Sequence, residues 1–410
     1  MPIAGGGLAY AYKAFGLLTS FLTAWALALC YVSATPFETI AIGLLIESII
    51  PSMVTDPLYF IGDTSVTYSN IIPGVVIALY LIWLNYKGAK GSTRFQFGIL
   101  VSIIVFTLAF SGVAIVNGNI SNLKPLFATE GSLWAVAPAS IISVIVVVPF
   151  FLAGFETISQ AAEEAGMKMN VKKLGAAIIG TIVAGIVFYV IIILAVAISM
   201  PWQESSKLPM PTAEVFNQAF GYVWVTKLVL ITALLGLIST LNGMYIAASR
   251  LLYALGRGGM LPHWFAVVHP THGTPKNAVL FVGAISLIGP FVGKAGMAPI
   301  VNSASLTFAF AYLIAALSAI RLRTTNPDMK RPYKVHKYTL YLAAIISIFL
   351  IGLMVLPHSP GELSYTEFII ISGWMGIGLF AYWWRQRVKD ISNSERTYLI
   401  LGESNNKQNI

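Results

Sequence analysis

Residues 146–156 read Val146-Val147-Val148-Pro149-Phe150-Phe151-Leu152-Ala153-Gly154-Phe155-Glu156. They sit inside an apolar run, Ala139–Gln160, long enough to cross a bilayer core. Pro149 removes a backbone donor and crowds the turn before it. Gly154 loosens the chain further on. Between the two, a helix is expected to unwind and expose carbonyls and amides part-way through the membrane. Transporters use such broken helices to hold ammonium groups and ions. Glu156 stands just past the break, where it either exchanges a proton or holds the unwound segment. The competing reading is a plain proline kink with a satisfied carboxyl.

Nine more apolar runs flank this one: Phe15–Ile46, Tyr68–Leu84, Phe95–Val116, Leu174–Met200, Val223–Leu255, Ala278–Val292, Met297–Ile320, Tyr338–Leu356 and Phe368–Trp384. Of the 410 residues, 57% are hydrophobic and 10% charged, against about a quarter charged in soluble domains. Lipid offers backbone groups no water, so each run must be a helix or a barrel strand. None shows the period-2 alternation of a barrel. The expectation is an all-α polytopic membrane protein with ten transmembrane helices. A transmembrane domain would occupy 1–390, and 391–410 would form a polar, mobile cytoplasmic tail.

Charge fixes the expected orientation. Lys124, Lys207, Lys227 and Lys294 fall in loops on one side, and the other 21 of the 25 Lys and Arg residues fall on the opposite side. Basic loops face the cytoplasm, so both termini are expected there, in a cell membrane. The formal charge of +9 gathers at helix ends and makes no stripe for nucleic acid. Cys30 is the single cysteine, so no intrachain disulfide can form.

Ionisable residues inside spans point to function, and there are two acids, Glu38 and Glu156. No histidine lies in a span, so a catalytic set is not assembled there; the expectation is no enzyme and no cofactor. His263, His269 and His272 mix with Pro and Gly in one loop and read as an ordinary loop, not a metal site.

Several strings resemble the amino acid–polyamine–organocation superfamily. Phe150 to Glu156, followed by Ala161-Ala162-Glu163-Glu164, resembles its sixth helix. Pro2 to Tyr12 with Phe15-Gly16 resembles the segment before its third helix, and Asn85-Tyr86-Lys87-Gly88 its fourth-to-fifth loop. Ser249 to Pro262 is similar to the end of its eighth helix, and Gly273-Thr274-Pro275 precedes the ninth. The resemblance is collinear over nearly the whole chain. It implies inverted five-helix repeats, and the ten spans match helices three to twelve. The expectation is that the natural start lies upstream and supplies the first two helices. The alternative is a truncated, non-transporting remnant or a subunit completed by another chain.

The resemblance implies a secondary active transporter of an amino acid or related amine, coupled to H+ or Na+ or working by exchange. Residue by residue, Phe150, Phe151, Leu152, Ala153 and Gly154 match the unwound segment that offers carbonyls to a substrate amine, with Phe150 or Phe151 as an aromatic gate. Cys30, Tyr31 and Thr35 fall where the third helix lines the site, and Ser303 and Ser305 match the tenth helix loosely. Helix-to-helix contact is the other role open to these residues. Ser239-Thr240 falls near the paired hydroxyls of sodium-coupled relatives, against a plain helix-bonding pair. Some proton-coupled relatives carry a Lys in the fifth helix; Phe95–Val116 has none. Glu156 then ranks first as proton carrier and Glu38 second. Glu163-Glu164 beside Lys168, Lys172 and Lys173 reads as a solvated helix end or an inner-gate ion pair.

Overall fold

Why the apolar runs become helices is visible in how they finish and how they bury. A computed structural model describes residues 6–88, 92–127, 133–160, 171–208, 210–329, 331, 334–388 and 391–402. Glu163, Glu164 and Lys168 lie outside the described residues. The chain opens with α1 (Gly7–Phe15) and α2 (Leu17–Ile49), then a hairpin of β1 (Pro57–Ile61) and β2 (Thr64–Thr67). Next come α3 (Tyr68–Lys87), α4 (Ser92–Asn117), α5 (Leu133–Ile145), α6 (Val148–Phe151) and α7 (Thr157–Gln160). They are followed by α8 (Val171–Ser199), α9 (Trp202–Ser205), α10 (Pro211–Phe220), α11 (Val223–Arg257), α12 (Lys276–Ser286) and α13 (Gly289–Val292). The rest is α14 (Met297–Thr325), α15 (Lys337–Val355), α16 (Tyr365–Arg387) and α17 (Asn393–Leu401).

Eight segments are long and apolar enough to cross a membrane, one of them spanning Lys276–Thr325. That segment holds two of the ten predicted runs, and α5 to α7 are the broken form of a third. The fold is therefore a polytopic helical protein, and among the described residues one two-stranded hairpin is its departure from all-helix.

The 33 residues of α2 make a rod of about 50 Å at 1.5 Å per residue. It is the axis of the molecule. In its most apolar stretch 78% of residues are buried, against 6% for α8, so α2 is packed all round while α8 presents apolar side chains outward. Helices pack on α2 through glycines. A Cβ on Gly74 would stand 2.5 Å from the Thr39 carbonyl, and one on Gly289 would stand 2.5 Å from the Pro36 carbonyl. Only a hydrogen fits at either contact.

Pro36 sits inside α2 without breaking it. The carbonyl it cannot serve belongs to Val32, and Thr35 Oγ1 donates to it at 2.8 Å. A local hydroxyl thus replaces the missing amide. Trp25 on α2 and Trp374 on α16 stack at 4.4 Å. Each indole donates to the other's backbone carbonyl, at 2.8 and 2.9 Å.

The segment after residue 390 differs from the expected mobile tail. Its described part includes α17, with Ile400 and Leu401 buried. Ser392 Oγ accepts from Glu395 N at 3.1 Å, the start of a Ser-x-x-Glu capping signature. Tyr12 and Thr397 hydroxyls meet at 3.1 Å and tie α17 to α1.

Candidate functional site

Pro36, Pro290 and Pro149 each deprive a helix of a backbone donor, and their different treatment marks the site. At Pro36 the orphaned carbonyl is served by Thr35, as above. At Pro290 the orphan is Ser286 O, and Thr39 Oγ1 on α2 donates to it at 3.0 Å. Tyr245 and Ser286 hydroxyls are also hydrogen-bonded. This second break, between α12 and α13, is sealed.

Pro149 is treated otherwise. The chain turns at 146–147, makes the single turn α6, and unwinds over 152–156. Gly154 takes φ 115°, backbone that side-chain-bearing residues rarely adopt. Among the described residues the carbonyls of Ile145, Leu152 and Ala153 accept no hydrogen bond. Unserved carbonyls in a membrane interior are costly unless they line a cavity or meet a ligand. The unwinding expected between Pro149 and Gly154 is thus present, with open acceptors.

Glu156 reaches this break directly, and Glu38 lies near Tyr189, a residue that contacts the break. Glu156 folds back on it: Gly154 N donates to both carboxylate oxygens, at 3.2 and 3.1 Å. The Tyr31 hydroxyl on α2 also hydrogen-bonds Glu156. Thr157 Oγ1 donates to Gly154 O at 2.5 Å. Glu156 is therefore the pin of the unwound turn. Glu38 is buried on α2, and its Oε2 has no hydrogen-bond partner. It lies close enough to Tyr189 on α8 to act on it electrostatically. Tyr189 in turn donates to Phe151 O at 3.0 Å.

Aromatic rings close the space. Phe150 is buried and meets Phe37 edge-on at 5.3 Å, while Phe151 is half exposed. Tyr31 meets Phe308 edge-on at 6.0 Å. Phe308 stacks on Tyr312 at 5.3 Å, and Tyr312 on Phe155 at 5.9 Å. The Tyr312 hydroxyl and those of Ser303 and Ser305 are buried without partners. Cys30 is fully buried and near enough to Glu156 to feel its charge.

The predicted residues thus separate. Tyr31, Cys30, Glu156 and the 150–154 segment come together. Ser303 and Ser305 lie on α14, which packs on both α2 and α6. The Thr35 hydroxyl is taken up by Val32 O. Ser239 Oγ receives Gln96 Nε2 at 2.8 Å, in a polar chain that continues through Asn242 to Asn85. Thr240 points elsewhere and is exposed, as neighbours on a helix do. Phe155, Phe308 and Tyr312 were not anticipated. Ser305, Phe308 and Tyr312 fall at i, i+3 and i+7, one face of a helix, and that spacing was the available signal.

A family model described as amino acid permease matches residues 1–380. The chain belongs to the amino acid permease family. It is 27% identical over 394 residues to the branched-chain amino acid permease BcaP of Bacillus subtilis, covering 93% of this chain and 79% of that one. It is 26% identical over 407 residues to a methylthioribose transporter of the same organism, covering 96% and 82%. It is 24% identical over 351 residues to cationic amino acid transporter 1 of Arabidopsis thaliana, covering 85% and 56%. This permease is accordingly a multi-pass membrane protein of a family whose members move small organic solutes. Among its described residues no group of three His, Cys, Asp or Glu could hold a metal.

Proposed function

We propose that the chain is a secondary active transporter of an amino acid or related organic amine, with both termini in the cytoplasm of a cell-membrane topology. In this reading the open carbonyls of Leu152 and Ala153 receive the substrate ammonium, and the buried hydroxyls of Ser303, Ser305 and Tyr312 meet its other polar atoms. The single observation that carries it is the contrast among the three prolines. Two have their orphaned carbonyls filled by threonines, and the third leaves its acceptors open beside a carboxyl.

Coupling follows from the same contrast. Sequence position ranks Glu156 first as proton carrier. Its hydrogen bonds to Gly154 N and to Tyr31 instead favour an anchoring role. Glu38 has a buried, unpartnered oxygen, and binding of a proton would remove the negative charge that this burial penalises. We assign the exchangeable proton to Glu38. The site offers no paired Ser239–Thr240 hydroxyls for Na+.

Purified protein in liposomes, loaded with a panel of labelled amino acids, tests both parts. The expected result is uptake driven by an inward proton gradient. Glu38→Gln should remove the gradient dependence while leaving exchange, and Glu156→Gln should lower uptake at every pH alike. No uptake of any amino acid or amine would sink the transport reading. An unchanged pH profile in Glu38→Gln would sink the proton assignment.

A further inference from the structure

At the hairpin side of the molecule a cavity of about 570 Å3 opens among α2, α10, α11 and the start of α14. Its walls are chiefly apolar, with Leu44, Leu45, Met210 and Leu237 among them. Three charged residues also line it: Glu47, Glu214 and Lys294. Among the described residues Lys294 makes no ion pair with either carboxylate.

Glu47 is held in place. Thr67 Oγ1 and Ser69 Oγ both donate to its Oε1, at 2.5 and 2.6 Å. Its Oε2 accepts no hydrogen bond among the described residues. Thr67 is itself fixed, since it caps α3 by accepting from Asn70 N. Glu214 stands in the first turn of α10, where the helix dipole favours negative charge.

Two carboxylates and one ammonium leave this lining one formal negative charge. Its complement carries two cationic groups, one carboxylate, and an aliphatic stem between them. We propose that the cavity binds an α-amino acid with a second cationic group on its side chain. The α-ammonium and the distal cation each meet one of Glu47 and Glu214, and the α-carboxylate meets Lys294. The methylene stem lies along Leu44, Leu45, Met210 and Leu237, as the stems of Lys and Arg lie on apolar protein surface. The volume is within the usual range for small-ligand sites.

The cavity is distinct from the break at Pro149 but shares a helix face with Glu38. Positions 38, 41, 45 and 48 of α2 fall on one face, and Ala41, Leu45 and Ser48 line the cavity. Glu47 lies about 14 Å along the axis from Glu38 at 1.5 Å per residue. That the cavity serves as a waiting position before the central site rests on the transport reading; that it binds a cationic amino acid does not.

Equilibrium binding of labelled L-lysine to the full chain in lipid nanodiscs tests the proposal, with two competitors. L-Norleucine keeps the stem and loses the distal amine; cadaverine keeps both amines and loses the carboxylate. Each should compete about tenfold or more weakly than lysine, since a charge-assisted contact is lost. Glu47→Gln retains an acceptor for Thr67 and Ser69. It and Glu214→Gln should each weaken lysine by a similar factor, and only the variant that removes the partner of the α-ammonium should also weaken norleucine. Lys294→Gln should weaken lysine and leave cadaverine bound at least as tightly as before. If the central site also takes lysine, the isotherm has two components and the variants remove one. Equal affinity for lysine and norleucine, or lysine binding unchanged in the Glu47→Gln, Glu214→Gln double variant, would overturn the proposal. Uptake separates the two readings. Charge-sensitive lysine binding without any uptake overturns transport and leaves this site; uptake with charge-insensitive lysine binding overturns this site alone.

Discussion

Gly154 is the residue on which the unwound turn depends. It holds φ 115°, and a Cβ built there meets nothing within 4 Å. A substitution therefore acts through the backbone alone, at about 1–3 kcal/mol for a side-chain-bearing residue in such a conformation. Gly154→Ala should reduce uptake and Gly154→Val should abolish it, with both proteins still inserting in normal amount. Full uptake by Gly154→Val would mean that the turn is not the substrate site. The sequence made this position legible because Pro and Gly are the two residues with strong backbone signatures. The pairing of Tyr31 with Glu156 was not legible. It joins residues 125 positions apart, and no local pattern encodes which carboxyl a tyrosine will reach.

At the scale of the element, the glycines facing α2 decide how closely its neighbours approach. Gly289 opens α13, and a Cβ there would meet Pro36 O, Thr39 Oγ1 and Pro36 Cα, all within 2.7 Å. Backbone cannot yield as a flexible side chain would. Gly289→Ala should cost about 1–3 kcal/mol of stability, read as a lower thermal midpoint in detergent. A midpoint equal to wild type would show that α13 has room to shift. The helices themselves were readable from apolar run length, because the bilayer thickness sets that length. The joins were less so. Ala278–Val292 and Met297–Ile320 were read as two spans; the first breaks before α13, which folds on α2, and a single turn at Gly293–Gly296 joins it to the second. α17 was missed because it is short and polar through Thr397, and only Ile400 and Leu401 of its apolar end are buried. Its Ser392-Glu395 cap was the readable part.

For the whole molecule, the reciprocal Trp25–Trp374 contact closes the bundle by joining its axis to α16, the last spanning helix. A Cβ on Gly378 would stand 2.0 Å from Trp25 Nε1, so the indole lies directly on the α16 backbone. Trp374→Phe keeps a ring for the stack and removes one of the two indole donors. It should lower stability by about 1 kcal/mol without changing substrate preference. A shift in substrate preference would place this contact in the transport cycle itself. Composition made the class of the bundle legible, and residue charge gives an expectation for its orientation. Neither could show that α2 is its axis: α2 is the more polar of α2 and α8, with mean hydropathy 1.7 against 3.0, but which helices surround each is not written in its own sequence.

The glycine-mediated contacts of α2 also divide the molecule by how readily its amides meet solvent. Where backbone lies on backbone, as at Gly74 and Gly289, no partial opening is available short of separating whole helices, so deuterium should enter α2 and α13 only with global unfolding. The turn at 152–156 has open carbonyls, and α5 to α7 make few contacts with the rest of the bundle. Its amides should exchange early, and a bound substrate should slow them while leaving the rate in α2 unchanged. Equal exchange in the two regions would mean that the unwound turn is as firmly built as the axis it faces.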